Sequence, residues 1–158
     1  MDYSLIIRKA VKEDAADIHR ILLSAFEAYQ ASVGITEPLE AMAENVESIE
    51  NDIEVKDVFI ALLDNEPVGT VRVSAIDQET ALLSRLGVKP DYQNTGIGKA
   101  LVNLVDKVVK EKNYKRIHLY AASKNYDLIR FYYSRGFYVD STGKDRGYVR
   151  ALLVKEYK

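Results

Sequence analysis

ALLSRLGVKPDYQNTGIGKALVNLVD, residues 81–106, decides how the rest of the chain is read. Ala81 to Val88 is a short, mostly apolar run of strand length. Pro90 stops it, because proline cannot donate to a sheet ladder. From Gly96 onward the apolar period changes: Ile97, Leu101, Leu104, Val105 and Val108 recur at helical spacing. Gln93-Asn94-Thr95-Gly96-Ile97-Gly98 lies between the two elements. A glycine-bearing loop that feeds a helix start leaves several backbone N–H groups unpaired, and the helix dipole adds partial positive charge there. Such a loop suits an anion, most often a phosphate.

Two familiar phosphate loops do not fit. A Walker loop needs a glycine where Gln93 stands and a hydroxyl where Ala100 stands. The dinucleotide fingerprint needs a third glycine where Leu101 stands. What remains is Gln-x-x-Gly-x-Gly, with Gln93, Gly96 and Gly98. Successive N–H groups of Asn94, Thr95, Gly96, Ile97, Gly98 and Lys99 can wrap a pyrophosphate, and the missing β-carbons at Gly96 and Gly98 allow close approach.

Size and composition narrow the field. The 158 residues suit one domain with a sizeable core, and 47% apolar with 29% charged residues is an ordinary globular balance. A net charge of −2 gives no reason to expect nucleic acid or an anionic membrane as partner. The absence of cysteine excludes disulfides, thiolate catalysis and cysteine metal sites. With two histidines, no multi-histidine metal site is expected. The segment MDYSLIIRKA lacks the long apolar run of a signal peptide, and no window has the length of a membrane helix, so a cytoplasmic protein is expected.

Around the central unit, Ser4 to Arg8 reads as a strand. A helix opens at Lys12-Glu13-Asp14, with Ile18, Ile21, Leu22, Ala25, Phe26 and Tyr29 on one face. A second helix is expected from Pro38 to Ile49. Asp57 to Leu63 and Val68 to Ile76 read as a hairpin around Asp64-Asn65-Glu66-Pro67. Arg116 to Ala121 is a further strand, Tyr126 to Ser134 a helix capped at Gly136, and Phe137 to Asp140 and Tyr148 to Lys155 two last strands. The order β α α β β β α β α β β predicts an α/β (α+β) domain over residues 1–158. Its sheet is expected to be mixed and mostly antiparallel, with about seven strands and about four helices on both faces.

Two motifs together carry a resemblance. Gln93-x-x-Gly96-x-Gly98 between strand and helix, then Asn125 followed by Phe131-Tyr132-x-x-x-Gly136-Phe137, resemble the GCN5-related N-acetyltransferase (GNAT) superfamily. The resemblance runs from Ile7-Arg8-Lys9-Ala10 to the final strand. It implies the acyl-CoA N-acyltransferase fold, with acetyl-CoA as cosubstrate in a V-shaped opening between strands 82–88 and 116–121. The backbone of Leu86, Gly87 and Val88 would hold the pantetheine arm like an added strand. Residues 93–99 would hold the phosphates. Tyr132 would be the general acid for the departing thiolate. Asn125 would bond the pantetheine or cap its helix, and the N–H of Val88 would polarise the thioester carbonyl. No metal and no covalent enzyme intermediate are required.

The base is less legible. Glu79, at the start of the central strand, and Ser84, on one face with Leu82 and Leu86 by alternation, are candidates for a base or proton relay. The acceptor pocket implied by the resemblance falls at Tyr29 to Pro38 and Asp140 to Tyr148, with Glu27, Tyr29, Gln30 and Tyr148 as lining candidates. Eight acids between Glu37 and Asp57 face one lysine, Lys56, a field that could steer a cationic amine. The expected activity is transfer of an acetyl group to a primary amine of a small molecule or peptide. The alternative is a non-catalytic acyl-CoA-binding sensor on the same fold. The resemblance also admits a homodimer.

Overall fold

The computed structural model describes residues 4–157. Its elements are β1 (Leu5–Lys9), α1 (Ala15–Val33), α2 (Val46–Val55), β2 (Asp57–Leu63), β3 (Glu66–Ala75), β4 (Thr80–Val88), α3 (Ile97–Glu111), β5 (Arg116–Ala122), α4 (Tyr126–Ser134), β6 (Tyr138–Gly143) and β7 (Arg150–Glu156). The sheet has seven strands in the order β1-β2-β3-β4-β5-β7-β6. Every neighbouring pair is antiparallel except β4 and β5. This is the mixed, mostly antiparallel sheet the element order predicts.

Helices cover both faces. Ile18, Leu22 and Ile49 of α1 and α2 pack on Val58 and Ile60 of β2. On the other face, Leu101, Val105 and Val109 of α3 and Tyr132 of α4 join Val71, Leu83, Leu119 and Leu153. Two glycines let helices sit close. A β-carbon at Gly69 would lie 3.2 Å from side-chain atoms of Ile97 and Leu101, and one at Gly87 would lie 3.3 Å from the β-carbon of Ala25.

Capping chemistry sets the helix ends. The Val11 N–H donates to Asp14 at 2.8 Å, and Arg8 donates to both carboxylate oxygens of Asp14, which ties β1 to the start of α1. Gly34, at φ 67, ends α1 in the left-handed region.

The second helix differs from the sequence expectation of Pro38 to Ile49. A 3₁₀ turn covers Glu40–Ala43, the chain extends at Glu44 and Asn45, and α2 starts at Val46. The cause is a capping box: Asn45 accepts the Ser48 N–H at 2.8 Å, and Ser48 Oγ accepts the Asn45 N–H at 3.0 Å. The last hairpin differs as well. Ser141 to Gly143 continue β6 after a register shift beyond Val139, so the turn lies later and holds Tyr148.

Candidate active site

β4 and β5 pair over three positions only, Thr80–Arg116, Ala81–Ile117 and Leu82–His118. Beyond them the strands part and leave an opening. The Lys89 N–H donates to Val68 on β3. Peptide groups alternate along a strand, so Val88 turns its N–H and C=O toward the opening, and Leu86 does the same two residues earlier. The Gln93 amide donates to the Val88 carbonyl at 3.2 Å, which agrees with that direction. On the opposite bank, the Ser123 N–H donates to Val149 of the β7 side, so the Ala122 N–H faces the opening. It donates to the Tyr29 hydroxyl at 2.6 Å.

The loop after β4 has the geometry to cradle an anion. Pro90–Tyr92 forms a 3₁₀ turn, Asn94 stands at φ 62, and Gly96 stands at φ 91 as the N-cap of α3. Thr95 Oγ1 donates to the Tyr92 carbonyl and fixes the curl. The Ala100 N–H is the first to close a helical bond, to Gly96. Among the described residues, the six N–H groups of Asn94 to Lys99 have no acceptor. Space for a β-carbon is open at both Gly96 and Gly98. Left-handed residues interleaved with ordinary ones turn successive N–H groups inward, which suits phosphate oxygens.

Tyr132 lies on α4 and is 3% exposed. Its ring meets Phe131 and Phe137 edge-on at centroid distances of 5.3 and 5.4 Å. Burial pushes its phenol well above the ordinary tyrosine range, and the charge that Tyr29 would carry pushes the same way. Its hydroxyl has no hydrogen-bond partner among the described residues. Tyr133, one residue on, is exposed. Asn125 caps α4, accepting the Leu128 N–H at 3.2 Å, which leaves its amide N–H₂ available.

A cleft of about 240 Å³ joins the end of α1, the end of β5 and the β6–β7 turn. Glu37, Lys124, Lys144 and Tyr148 contribute to its wall. Tyr29 and Gln30 belong to α1 rather than to a loop, since that helix runs to Val33. Gln30 shapes the cleft indirectly, donating to the Glu37 carbonyl at 2.8 Å. Glu27 is exposed on α1, outside the cleft wall.

Three sequence expectations are corrected here. Glu79 precedes β4 at the end remote from the loop, about 30 Å along the strand at its usual rise. There its carboxylate pairs with Lys115 and Arg116. Ser84 does not share a face with Leu86. From Thr70 to Arg72 the β3 register advances two residues, while β4 advances three, from Gly87 back to Ser84. The extra residue is Arg85, at φ 54, and it flips the alternation. Ala81 and Leu83 belong to the α3-side core, as do Leu86 and Val88 after the flip, while Gly87 faces α1. The acidic field is also weaker than its count. Glu40, Glu44, Asp52 and Asp57 are ion-paired with Arg146, Arg85, Arg72, Lys56, Lys9 and Lys112.

Sequence reasoning missed Arg72, Glu44 and Arg85. The one visible signal was an arginine inside the apolar run Val68-Gly69-Thr70-Val71-Arg72-Val73. No metal-binding group of three or more His, Asp or Glu occurs among the described residues. No helix among them is long and apolar enough to cross a membrane.

Comparison with known proteins bears on this parted mixed sheet and the loop of free N–H groups at its mouth. The Acetyltransferase (GNAT) family pattern matches residues 15–137, and the chain belongs to that family. Spermidine N(1)-acetyltransferase of Thermoplasma acidophilum is 34% identical over 82 residues, covering 52% of this chain and 50% of that one. The uncharacterised protein YyaT of Bacillus subtilis is 29% identical over 94 residues, 59% of this chain and 61% of that one. The chain spans about half the length of the curated relatives it matches. Among solved structures, the PaiA N-acetyltransferase of Thermoplasma acidophilum in complex with coenzyme A superposes with a TM-score of 0.85 at 25% identity, over 98% of this chain and 99% of that one. YncA from Salmonella typhimurium, solved with acetyl-CoA, shares the fold at a TM-score of 0.79 and 17% identity, over 98% and 95% of the two chains.

Proposed function

We propose that this protein transfers the acetyl group of acetyl-CoA directly to a primary amine. The observation that carries the reading is the opening between β4 and β5 beside six N–H groups without acceptors. Together they match a ligand with an extended amide arm and a pyrophosphate. The PaiA structure, solved with coenzyme A, supports the same ligand here.

On this reading the arm lies along Leu86 to Val88, and the phosphates rest on residues 93–99. The Val88 N–H donates to the thioester carbonyl. The amine nitrogen attacks the carbonyl carbon, the C–S bond breaks, and the surplus amine proton leaves to water. The thiolate takes its proton from Tyr132, and the phenolate left behind recovers one from the water that received the amine proton. A phenol whose pKa is raised stays protonated at every physiological pH. It therefore holds its proton until the C–S bond breaks, when charge building on sulfur strengthens the hydrogen bond and draws the proton across.

The amine enters through the cleft at Glu37 and Tyr148, and Tyr29 is tied to the cleft wall by the Ala122 N–H. The spermidine acetyltransferase relative supports a small cationic amine as the acceptor class. The cleft's mixed charges, Glu37 against Lys124 and Lys144, allow a monoamine equally well.

Two measurements test the proposal. Saturating acetyl-CoA raises the melting temperature, because a ligand that binds only the folded state stabilises it. An unmoved melting curve removes the main support. A panel of mono-, di- and polyamines, followed by release of free CoA thiol, then separates an enzyme from a binding module. Binding without thiol release from any amine would assign the fold a sensing role.

A further inference from the structure

Arg85 is held in the left-handed region at φ 54, a place an arginine reaches only at a cost. The turn there is what brings Leu86 and Val88 to the α3 side and aims β4's free backbone along the opening. Something must hold it. Glu44 is placed to do so. Its two oxygens accept from both terminal nitrogens of Arg72 at 2.8 Å, and one of them also accepts from Arg85 Nε at 3.3 Å.

Arg72 is 1% exposed. A buried guanidinium has to be paired and cannot wander. Its other carboxylate is Asp52, at 2.7 Å. Arg72 stands directly opposite Ser84, the residue before the turn. Glu44 is therefore fixed from below by β3 and reaches across to the residue that bulges out of β4. The stretched chain at Glu44, between the 3₁₀ turn and α2, sets its carboxylate over both strands.

We infer that Glu44 is a positioning residue: anchored by buried Arg72, it holds the left-handed turn at Arg85 and so sets the strand on which the cofactor arm lies. This rests on the acetyl-CoA reading above. It adds that the segment before α2, which bears no motif, tunes cofactor affinity through β4.

The test exploits glycine, which takes a positive φ without strain. Acetyl-CoA affinity is measured by calorimetry for the wild type, Glu44→Gln, Arg85→Ala, Arg85→Gly and the Glu44→Gln/Arg85→Gly double variant. The Arg85 variants leave the Arg72–Glu44–Asp52 cluster intact, so they keep the fold. Glu44→Gln and Arg85→Ala are expected to weaken binding about tenfold, the scale of strain at one left-handed residue. Arg85→Gly stays near wild type. In the glycine background Glu44→Gln still lowers the melting temperature, yet leaves acetyl-CoA affinity within about twofold. Two results overturn the inference: unchanged affinity in Glu44→Gln with only a lower melting temperature, or no rescue by glycine. Amide exchange at Gly87, paired with Thr70 just past the turn, reads the same hold without any cofactor. If the wild type fails to bind acetyl-CoA, the functional reading falls. The exchange rates then decide the role of Glu44 by themselves: faster exchange in Glu44→Gln, suppressed by glycine at position 85, upholds it, and equal rates sink it.

Discussion

Two adjacent tyrosines on α4 meet different fates, and the difference is one of geometry. A step of one residue turns a helix by about 100°, so Tyr132 points into the core while Tyr133 points to water. Tyr132 is 3% exposed and Tyr133 is 53% exposed. The buried ring is fixed by Phe131 and Phe137, and a fixed hydroxyl is what a proton donor needs. Replacing Tyr132 with phenylalanine keeps the ring and removes the proton. We expect turnover to fall by about 10²-fold or more, within the range of general acid catalysis, while acetyl-CoA affinity holds. Steady-state kinetics with an accepted amine, beside calorimetry, checks both halves. Tyr133→Phe serves as the control and is expected to change neither. Equal turnover in Tyr132→Phe would take that residue out of the chemistry.

At the scale of elements, α3 carries opposing demands in its first turn. Gly98 lies within the helix, where glycine costs about 0.5–1 kcal/mol relative to alanine. Nothing lies within 4 Å of the β-carbon that alanine would bring. The free protein is thus expected to gain up to about that amount from Gly98→Ala. On the proposed reading, however, the methyl group stands where phosphate oxygens would approach the N–H groups, so acetyl-CoA affinity is expected to drop about tenfold or more as those bonds lengthen. Gly96→Ala differs, because φ 91 strains any other residue and the free protein loses stability. Denaturation midpoints read the first effect and calorimetry the second. A Gly98→Ala variant that gains stability and binds as well as the wild type would move the phosphates away from this turn. The elements themselves were largely legible, because the apolar period switches clearly between 2 and 3.6 along this chain. What misled was local: the Asn45–Ser48 capping box broke one expected helix, and a single left-handed arginine inverted the faces of β4. The first had a signal in Asn-x-x-Ser. The second had none, since arginine carries no preference for that conformation.

Across the whole molecule, the half of the candidate site built by the backbone was readable as a shape, because glycine and turn chemistry mark it. The half built by distant side chains was not. Arg72 and Glu44 are 28 residues apart, and only the folded sheet brings them together. Tyr29 meets the Ala122 N–H across 93 residues. The same long-range pairs govern how stability responds to pH. Asp14 is held below the usual carboxylate range, first by its hydrogen bond from Arg8, against the opposing effect of burial. For Asp57, burial opposes ionisation, and hydrogen bonds from Lys112 and Lys9 overcome it. A carboxyl whose pKa is lower folded than unfolded contributes stability above its unfolded value, about 3.9, and loses it as pH falls through the folded value. The buried phenols behave in the opposite sense. Burial raises Tyr132, Tyr157 and Tyr29, with Asp106 adding to the shift at Tyr157. Their contribution is complete below the unfolded value of about 10 and is lost as pH rises beyond it. These groups therefore predict a plateau of stability from about pH 5 to about pH 9, with a fall on either side. Urea midpoints measured across pH 3 to 11 read the profile directly. Asp14→Asn removes one of the groups behind the acid limb, so its fall below about pH 5 should be shallower than in the wild type, while the alkaline limb keeps its place. Parallel acid limbs in the two proteins would show that Asp14 titrates alike in the folded and unfolded chains and that Arg8 does not hold its pKa down.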